Sequence, residues 1–299
     1  ERHLPPGYID RARRNLTPRK FRIFIMGSWE ALDGLCFSEF EQELHVLKEN
    51  KIPHPKWPRF LCVDYGRTAG NAALFMALTP DRKLLFYDEF YCEDAIAEEH
   101  VEGIVQRVKT HDVEVLEYHI KQGMNFNYSG RLPDMMPDTI SHDPAMNRKA
   151  DTKTGNPDAT VVTLYEEAFA AHGYEVVMTP ANNDVLASID RANYCFKHRL
   201  IEVNPRCRNT IAQISTTVTD PQTGKPKTGQ KDHCFDTMRY LTLDAFDLVS
   251  PEVPVKKTTL VEQIAERWRV QQTSRDDALF GERNFSVGAQ YDTLLDAAS

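Results

Sequence analysis

Three aspartates stand at positions where a folded chain seldom leaves a carboxylate without a partner. Asp64 closes the apolar run Phe60-Leu-Cys-Val and is followed by Tyr65-Gly66; Asp143 closes Thr139-Ile-Ser-His; Asp236 sits in Lys231-Asp232-His233-Cys-Phe-Asp236-Thr-Met-Arg239-Tyr240. A carboxylate at the end of a buried strand costs free energy unless a cation or a hydrogen-bond donor meets it. If the strands ending at Asp64 and Asp143 lie parallel and adjacent, both side chains emerge at one carboxyl edge, where open α/β sheets place their sites. His233 and Asp236 share one face of a helix start, with Asp232 as the expected cap. Three converging aspartates raise one another's pKa, and hard divalent cations such as Mg²⁺ or Mn²⁺ resolve the conflict. Two such ions about 3.5–4 Å apart, bridged by one carboxylate, suit in-line attack of water on a phosphodiester.

The elements that must position these residues follow from the apolar pattern. Residues 59–64, 72–78 and 83–90 read as three consecutive strands, the last two joined by the tight connection Thr79-Pro-Asp-Arg. Ile96, Val101, Ile104, Val105 and Val108 fall at helical spacing between Glu93 and His111, and 112–137 reads as irregular. A short strand is expected over 139–143. A helix is expected from an Asn156-Pro157 start to Gly173, then a strand at 174–178, a helix at 184–198 and a brief strand at 200–203. Residues 216–229 suggest an exposed β-hairpin and 233–249 a strong helix. Ahead of these lie two expected helices, 6–16 and 18–26, and a short strand over 34–40. The order implies an α/β fold with a mixed sheet flanked by helices on both faces. It divides into 1–56 (lead-in elements packing on the core), 57–249 (core) and 250–299 (linker and tail, with one helix at 258–272).

Bulk properties bound the reading. The 299 residues are 41% hydrophobic and 27% charged, with net charge −8, and no apolar window reaches membrane-spanning length. This predicts no membrane span and no export signal. The six cysteines form no C-x-x-C pair, which argues for free thiols rather than a disulfide frame or zinc knuckle. Charge is uneven: Arg11, Arg13, Arg14, Arg19, Lys20 and Arg22 crowd the start, and the end is acidic. Arg148, Lys149 and Lys153 after Asp143, with Lys225 and Lys227 on the expected hairpin, are candidates for binding DNA phosphates.

Several segments together resemble the nuclease domain of the large terminase subunit of tailed bacteriophages. They are Trp57 through Gly66, Leu85-Phe-Tyr-Asp-Glu-Phe-Tyr91, Gly27-Ser-Trp29 with Gly34-Leu-Cys-Phe37, Ser141-His-Asp143, and Asp232-His233-Cys-Phe-Asp236-Thr-Met-Arg239-Tyr240. Each motif is short; their order and spacing over about residues 1–249 carry the likeness. The resemblance implies an RNase H-like fold and metal-dependent endonuclease cleavage of concatemeric viral DNA during packaging. It matches Asp64, Asp143 and Asp236 to the family's metal-binding acids, with two Mg²⁺ or Mn²⁺ ions, and His233 to a histidine beside the third. It further implies double-stranded DNA, a portal protein and a small terminase subunit as partners, in the host cytoplasm. No G-x-x-x-x-G-K-[ST] is present, so the chain reads as a C-terminal fragment without the packaging ATPase.

Taken singly, each residue has a plainer reading. Asp64 could form a turn before Gly66, Asp143 one before Pro144, and Asp232 and His233 could cap a helix. Glu89, Asp94, Glu98 and Glu99 are the substitutes should a ligand be misassigned, although Glu98 and Glu99 also suit a solvated face. Trp29 and Trp57 suit core packing better than base stacking. Asp64-Tyr-Gly66-Arg-Thr68 also fits the phosphate loop of actin-like ATPases and sugar kinases, but the chain has only 14 glycines and no Gly-Gly pair. Small Holliday-junction resolvases resemble the same stretch but leave the segments after 200 unexplained. A non-catalytic docking module for a capsid portal is the remaining alternative.

Overall fold

The structure is a computed structural model that describes residues 7–9, 25, 34–66, 70–122, 134–150 and 159–249. After a single-turn helix α1 (Gln42–His45), the chain forms β1 (Arg59–Gly66), β2 (Gly70–Leu78) and β3 (Leu84–Cys92), then helix α2 (Ala97–Lys121). Strand β4 (Thr139–His142), helix α3 (Val161–Ala171), β5 (Met178–Pro180), helix α4 (Val185–Lys197) and β6 (Ile201–Val203) follow. Helices α5 (Arg208–Thr216), α6 (His233–Asp244) and α7 (Phe246–Val249) complete the described part. The six strands form one sheet in the order β5-β4-β1-β2-β3-β6. The hairpin pairs β1/β2 and β2/β3 are antiparallel, and the crossover pairs β1/β4, β4/β5 and β3/β6 are parallel. This is the mixed sheet expected from three hairpin-linked strands followed by crossover helices.

β1 is apolar along its length because it is central and covered on both faces. Cys62, Leu74, Met76 and Phe86 pack against Phe196 of α4 and Phe235, Met238 and Leu241 of α6. On the other face Leu61, Val63, Phe75 and Tyr87 meet Val101, Ile104 and Val108 of α2 and Tyr165 and Phe169 of α3. Each fully buried side chain of this size contributes roughly 1.5–3 kcal/mol, so the two layers fix the sheet between them. A register shift between Phe75 and Met76 leaves Tyr87 as an extra residue on β3. Tyr87 and Asp88 consequently both meet His111 of α2, by ring contact and by a 2.7 Å hydrogen bond. At the opposite end of the sheet the buried Arg59 donates to the carbonyls of Pro55, Trp57 and Met136 and pairs with Asp138. It ties the lead into β1 to the lead into β4.

Several expected boundaries move. α2 runs on to Lys121 instead of ending at His111, and it buries His111, Asp112, Val115 and His119 at helical spacing. Polar residue types at those buried positions hid the stripe. α3 is capped by Thr160, whose hydroxyl accepts from Thr163 N, rather than by Asn156. β5 starts at Met178, where 174–178 was expected, and α6 stops at Asp244 with α7 separate. The expected hairpin at 216–229 is the end of α5 followed by turns, with isolated antiparallel bridges Leu35↔Val218 and Thr219↔Pro226 in place of two strands. The 34–40 segment likewise contributes only the bridge at Leu35. The expected helices at 6–16 and 18–26, apart from residues 7–9 and 25, lie outside the described residues, as do Lys153 and the whole of 250–299. All six cysteines are free thiols. Among the described residues no helix is long and apolar enough to cross a membrane.

Candidate active site

The parallel pairing of β1 with β4 brings two of the three aspartates to one edge. Cys62 pairs with Ser141 and Val63 with His142, and Asp143 N donates to Val63 O at 2.9 Å. Asp64 is 5% exposed, and its Oδ2 is hydrogen-bonded to His233 Nδ1 at 2.8 Å. That imidazole is the partner a buried strand-end carboxylate requires. Gly66 makes room for it: a Cβ there would lie 2.6 Å from the His233 ring and 2.7 Å from Gly70 O. Burial pushes the Asp64 carboxyl above its ordinary range against the pull of His233, and the hydrogen bond with Asp64 in turn raises His233.

The third aspartate is delivered by the first turn of α6. Asp236 Oδ1 accepts from Arg239 Nε at 2.5 Å, one turn along the helix. Arg239, 4% exposed, also donates from Nη2 to Asn183 Oδ1 at 2.8 Å and to the Tyr240 hydroxyl at 3.1 Å. Burial lifts the Asp236 carboxyl to about 7, with Arg239 opposing and the charges of Asp64 and Asp232 adding to the rise. Asp232 occupies the N-cap position of α6, yet its side chain makes no capping bond; burial raises it too. Asp143 Oδ1 accepts from Ala145 N at 2.7 Å, at the start of a 3-10 turn over Pro144–Asn147. Asp143 and Asp232 both act electrostatically on Asp64.

Among the described residues, four carboxylates therefore face one buried guanidinium and one imidazole. That surplus of hard oxygen donors fits a divalent cation in ligand type and charge. Among the described residues, however, no three His, Cys, Asp or Glu side chains converge as a metal-holding group. Asp64 and Asp236 are instead turned into their pairs with His233 and Arg239. His233, expected beside Asp236, points to Asp64.

The substitute acids are otherwise engaged. Glu89 accepts from Asn209 N and Nδ2 and from Thr210 N and Oγ1, so it caps α5. Glu99 closes the start of α2 by accepting from Ile96 N at 3.1 Å, while Glu98 is exposed in the same turn and Asp94 forms a turn at φ +55°. Of the expected phosphate contacts, Arg148 is exposed beside the site, with Nη2 3.5 Å from Tyr65 O. Lys149 is exposed next to it, bridged in the backbone to Thr160, and Lys225 and Lys227 lie on the 219–229 excursion, Lys227 exposed and Lys225 likewise at the surface. Sequence reading gave no role to Arg239 or Asn183; the Asp236/Arg239 spacing of one helical turn was the available signal for the first, and nothing local signals the second.

Residues 136–244 match the family model described as "Terminase RNaseH-like domain". The chain carries a terminase RNase H-like domain. Its sheet aligns with the large terminase of a thermophilic bacteriophage in complex with ADP at 18% identity and TM-score 0.50, covering 80% of this chain and 52% of that one. The P22 large terminase nuclease domain aligns at 14% identity and TM-score 0.47, over 69% of this chain and 90% of that one. The large terminase nuclease from thermophilic phage G20c, with bound cobalt, aligns at 9% identity and TM-score 0.42, over 71% and 97%. The chain spans about half the length of the ADP-bound large terminase and of a second crystal form of the same protein. Curated protein sequences contain no match.

Proposed function

We propose that this terminase RNase H-like domain is a divalent-metal-dependent endonuclease that cuts concatemeric double-stranded viral DNA during phage genome packaging. The observation that carries the reading is the gathering of Asp64, Asp143, Asp232 and Asp236 at the carboxyl edge of the sheet, where His233 and Arg239 are the buried counter-charges among the described residues. Asp64, Asp143 and Asp236 are the residues that would hold two Mg²⁺ or Mn²⁺ ions, with Asp64 shared between them and His233 beside the Asp236 site. When bound, the metal supplies a nucleophilic water at neutral pH and neutralises phosphate charge.

The chain's own residues do the rest. His233 orients the Asp64 carboxylate through Nδ1, and Gly66 leaves the imidazole room to do so. Arg239, fixed by Asn183, holds Asp236 on the same side of α6. Arg148, Lys149, Lys153, Lys225 and Lys227 supply non-specific phosphate contacts, so binding weakens steeply with salt and sequence preference is low. The domain acts in the host cytoplasm with the portal protein and small terminase subunit as partners.

Plasmid nicking and linearisation in EDTA, Mg²⁺ and Mn²⁺, alongside Asp64→Ala, tests this. Metal-dependent cutting that the variant loses is the expected outcome. Cutting that survives the substitution, or none with either metal, sinks the three-aspartate assignment.

A further inference from the structure

A cavity of about 310 Å³ opens where β6 ends, lined by Glu89, Tyr91, Arg107, Arg206, Arg208 and Asn209. Three guanidiniums meet one carboxylate there, and that carboxylate is already spent. Glu89 is 5% exposed and takes four donors from the start of α5 at 2.7–2.9 Å. The other nearby acids engage the arginines only in part. Arg206 reaches Glu114 at 2.9 Å and Asp88 at 3.5 Å through Nη1 alone, and Arg107 approaches Asp88 no closer than 3.7 Å. Arg208 is exposed and makes no ion pair among the described residues. Each guanidinium carries five N–H donors in a planar fork, so most of the donors in this cavity are left for an external acceptor. Planar forks of this kind suit phosphate oxygens.

The position of the cavity selects the ligand. β3 runs in the same direction as β1, with β2 between them, and Tyr91 at its carboxyl end packs over Gly70, which pairs with Gly66 beside His233. Adjacent strands lie about 4.8 Å apart, so the arginines stand on the same sheet edge as Asp64, about 10–15 Å away. Along a DNA strand, charges advance about 3.4 Å per nucleotide of helix axis, which makes that offset about three to four nucleotides. We propose that Arg107, Arg206 and Arg208 seat a backbone phosphate of the DNA three to four nucleotides from the one that is cut. This rests on the nuclease reading and gives it a second fixed point on the strand, which sets the strand's register over Asp64.

Fluorescence anisotropy with a short duplex in EDTA, across about 50–200 mM salt, tests the seat. Arg208→Ala is the informative variant because Arg208 makes no ion pair among the described residues; Arg208→Lys is the conservative control and Lys121→Ala, at the far end of α2, the remote one. Loss of one phosphate contact flattens the plot of log affinity against log salt by about 0.9 and weakens binding about eightfold near 0.1 M salt. Arg208→Ala should show both changes with an unaltered melting temperature. Arg208→Lys should keep most of the affinity, and Lys121→Ala all of it. A duplex with a neutral methylphosphonate at the offset position should bind wild type and Arg208→Ala equally. If Arg208→Ala binds with wild-type affinity and salt slope while the wild type still cuts with metal, the seat is wrong and the nuclease stands. Inorganic phosphate that stabilises the wild type but not Arg208→Ala, with DNA binding unchanged, would likewise overturn the DNA assignment in favour of a free anion. A wild-type chain that neither binds duplex nor cuts it with metal would overturn both readings.

Discussion

Replacing His233 with alanine removes the side chain that hydrogen-bonds Asp64 and leaves a carboxylate that is 5% exposed without its counter-charge. Charge-assisted hydrogen bonds contribute about 1.5–3 kcal/mol, and breaking a buried ion pair from one side costs about 3–5 kcal/mol. The side chains here are 16% and 7% exposed, so solvent screens the histidine partly and the expected loss falls at the lower end, about 3 kcal/mol. For a domain of this size that corresponds to a melting temperature lower by about 6–12 °C. Part of the loss is the packing of the ring over Gly66, so the clean measurement is a double-mutant cycle with Asp64→Asn, followed by urea denaturation in EDTA. The amide of the Asp64→Asn variant has no charge to strand, and the His233→Ala cost should shrink by about 1.5–2 kcal/mol in that background. A coupling energy below about 0.5 kcal/mol would refute the claim that His233 is the counter-ion of Asp64.

Two further substitutions probe buried acids outside the metal-binding set. Burial raises the Asp244 carboxyl to about 7, and its one hydrogen-bond donor among the described residues, Asn182 N, is 3.5 Å away. Because the folded-state pKa lies above the unfolded one, the folded chain holds the extra proton between about pH 4 and 7, and stability from this group is full below about pH 4 and lost as pH rises through 7. Asp244→Asn should therefore match the wild type in melts at pH 4 and exceed it at pH 8, by on the order of 1–3 kcal/mol; equal melts at pH 8 would contradict the burial argument. Glu89→Gln exchanges a capping carboxylate for an amide that cannot accept from both sides of α5, and should lower stability by about 1–2 kcal/mol. Metal-dependent cutting should persist in that variant; its abolition in a folded protein would return Glu89 to the ligand set.

How much of this was legible in the sequence depended on how local the cause was. Arg59–Asp64 and its two hairpin neighbours announced themselves because a central strand covered on both faces must be apolar throughout, and Asp184 announced α4 by sitting where its side chain caps Ala187 N. The last ten residues of α2 were hidden because His111, Asp112 and His119 occupy buried positions and Val113-Glu-Val115 mimics strand alternation. α5 was invisible for a different reason: its cap, Glu89, comes from a strand 120 residues earlier. In the site, the types and edge placement of Asp64 and Asp143 could be inferred from strand order, whereas the pairing of His233 with Asp64 spans 169 residues and depends on where α6 lands. The arginine cavity joins α2, β3 and the start of α5, and no window of the sequence contains it.

The parallel pairing of β1 with β4 also dictates when the site can come into being. Hairpins β1/β2/β3 need only short loops to close, but Leu61 and Ser141 are 80 residues apart, and bringing them together must wait for α2 to fold and cross back. The carboxylate edge is thus absent from the early collapsed chain and assembles with the least local contacts. Arg59, clamping both strand entries at the opposite end of the sheet, sets the register of that late event, where a slip of a single residue would turn the β4 side chains over to the opposite face. A newly made chain therefore has no cutting edge to expose until its topology is complete.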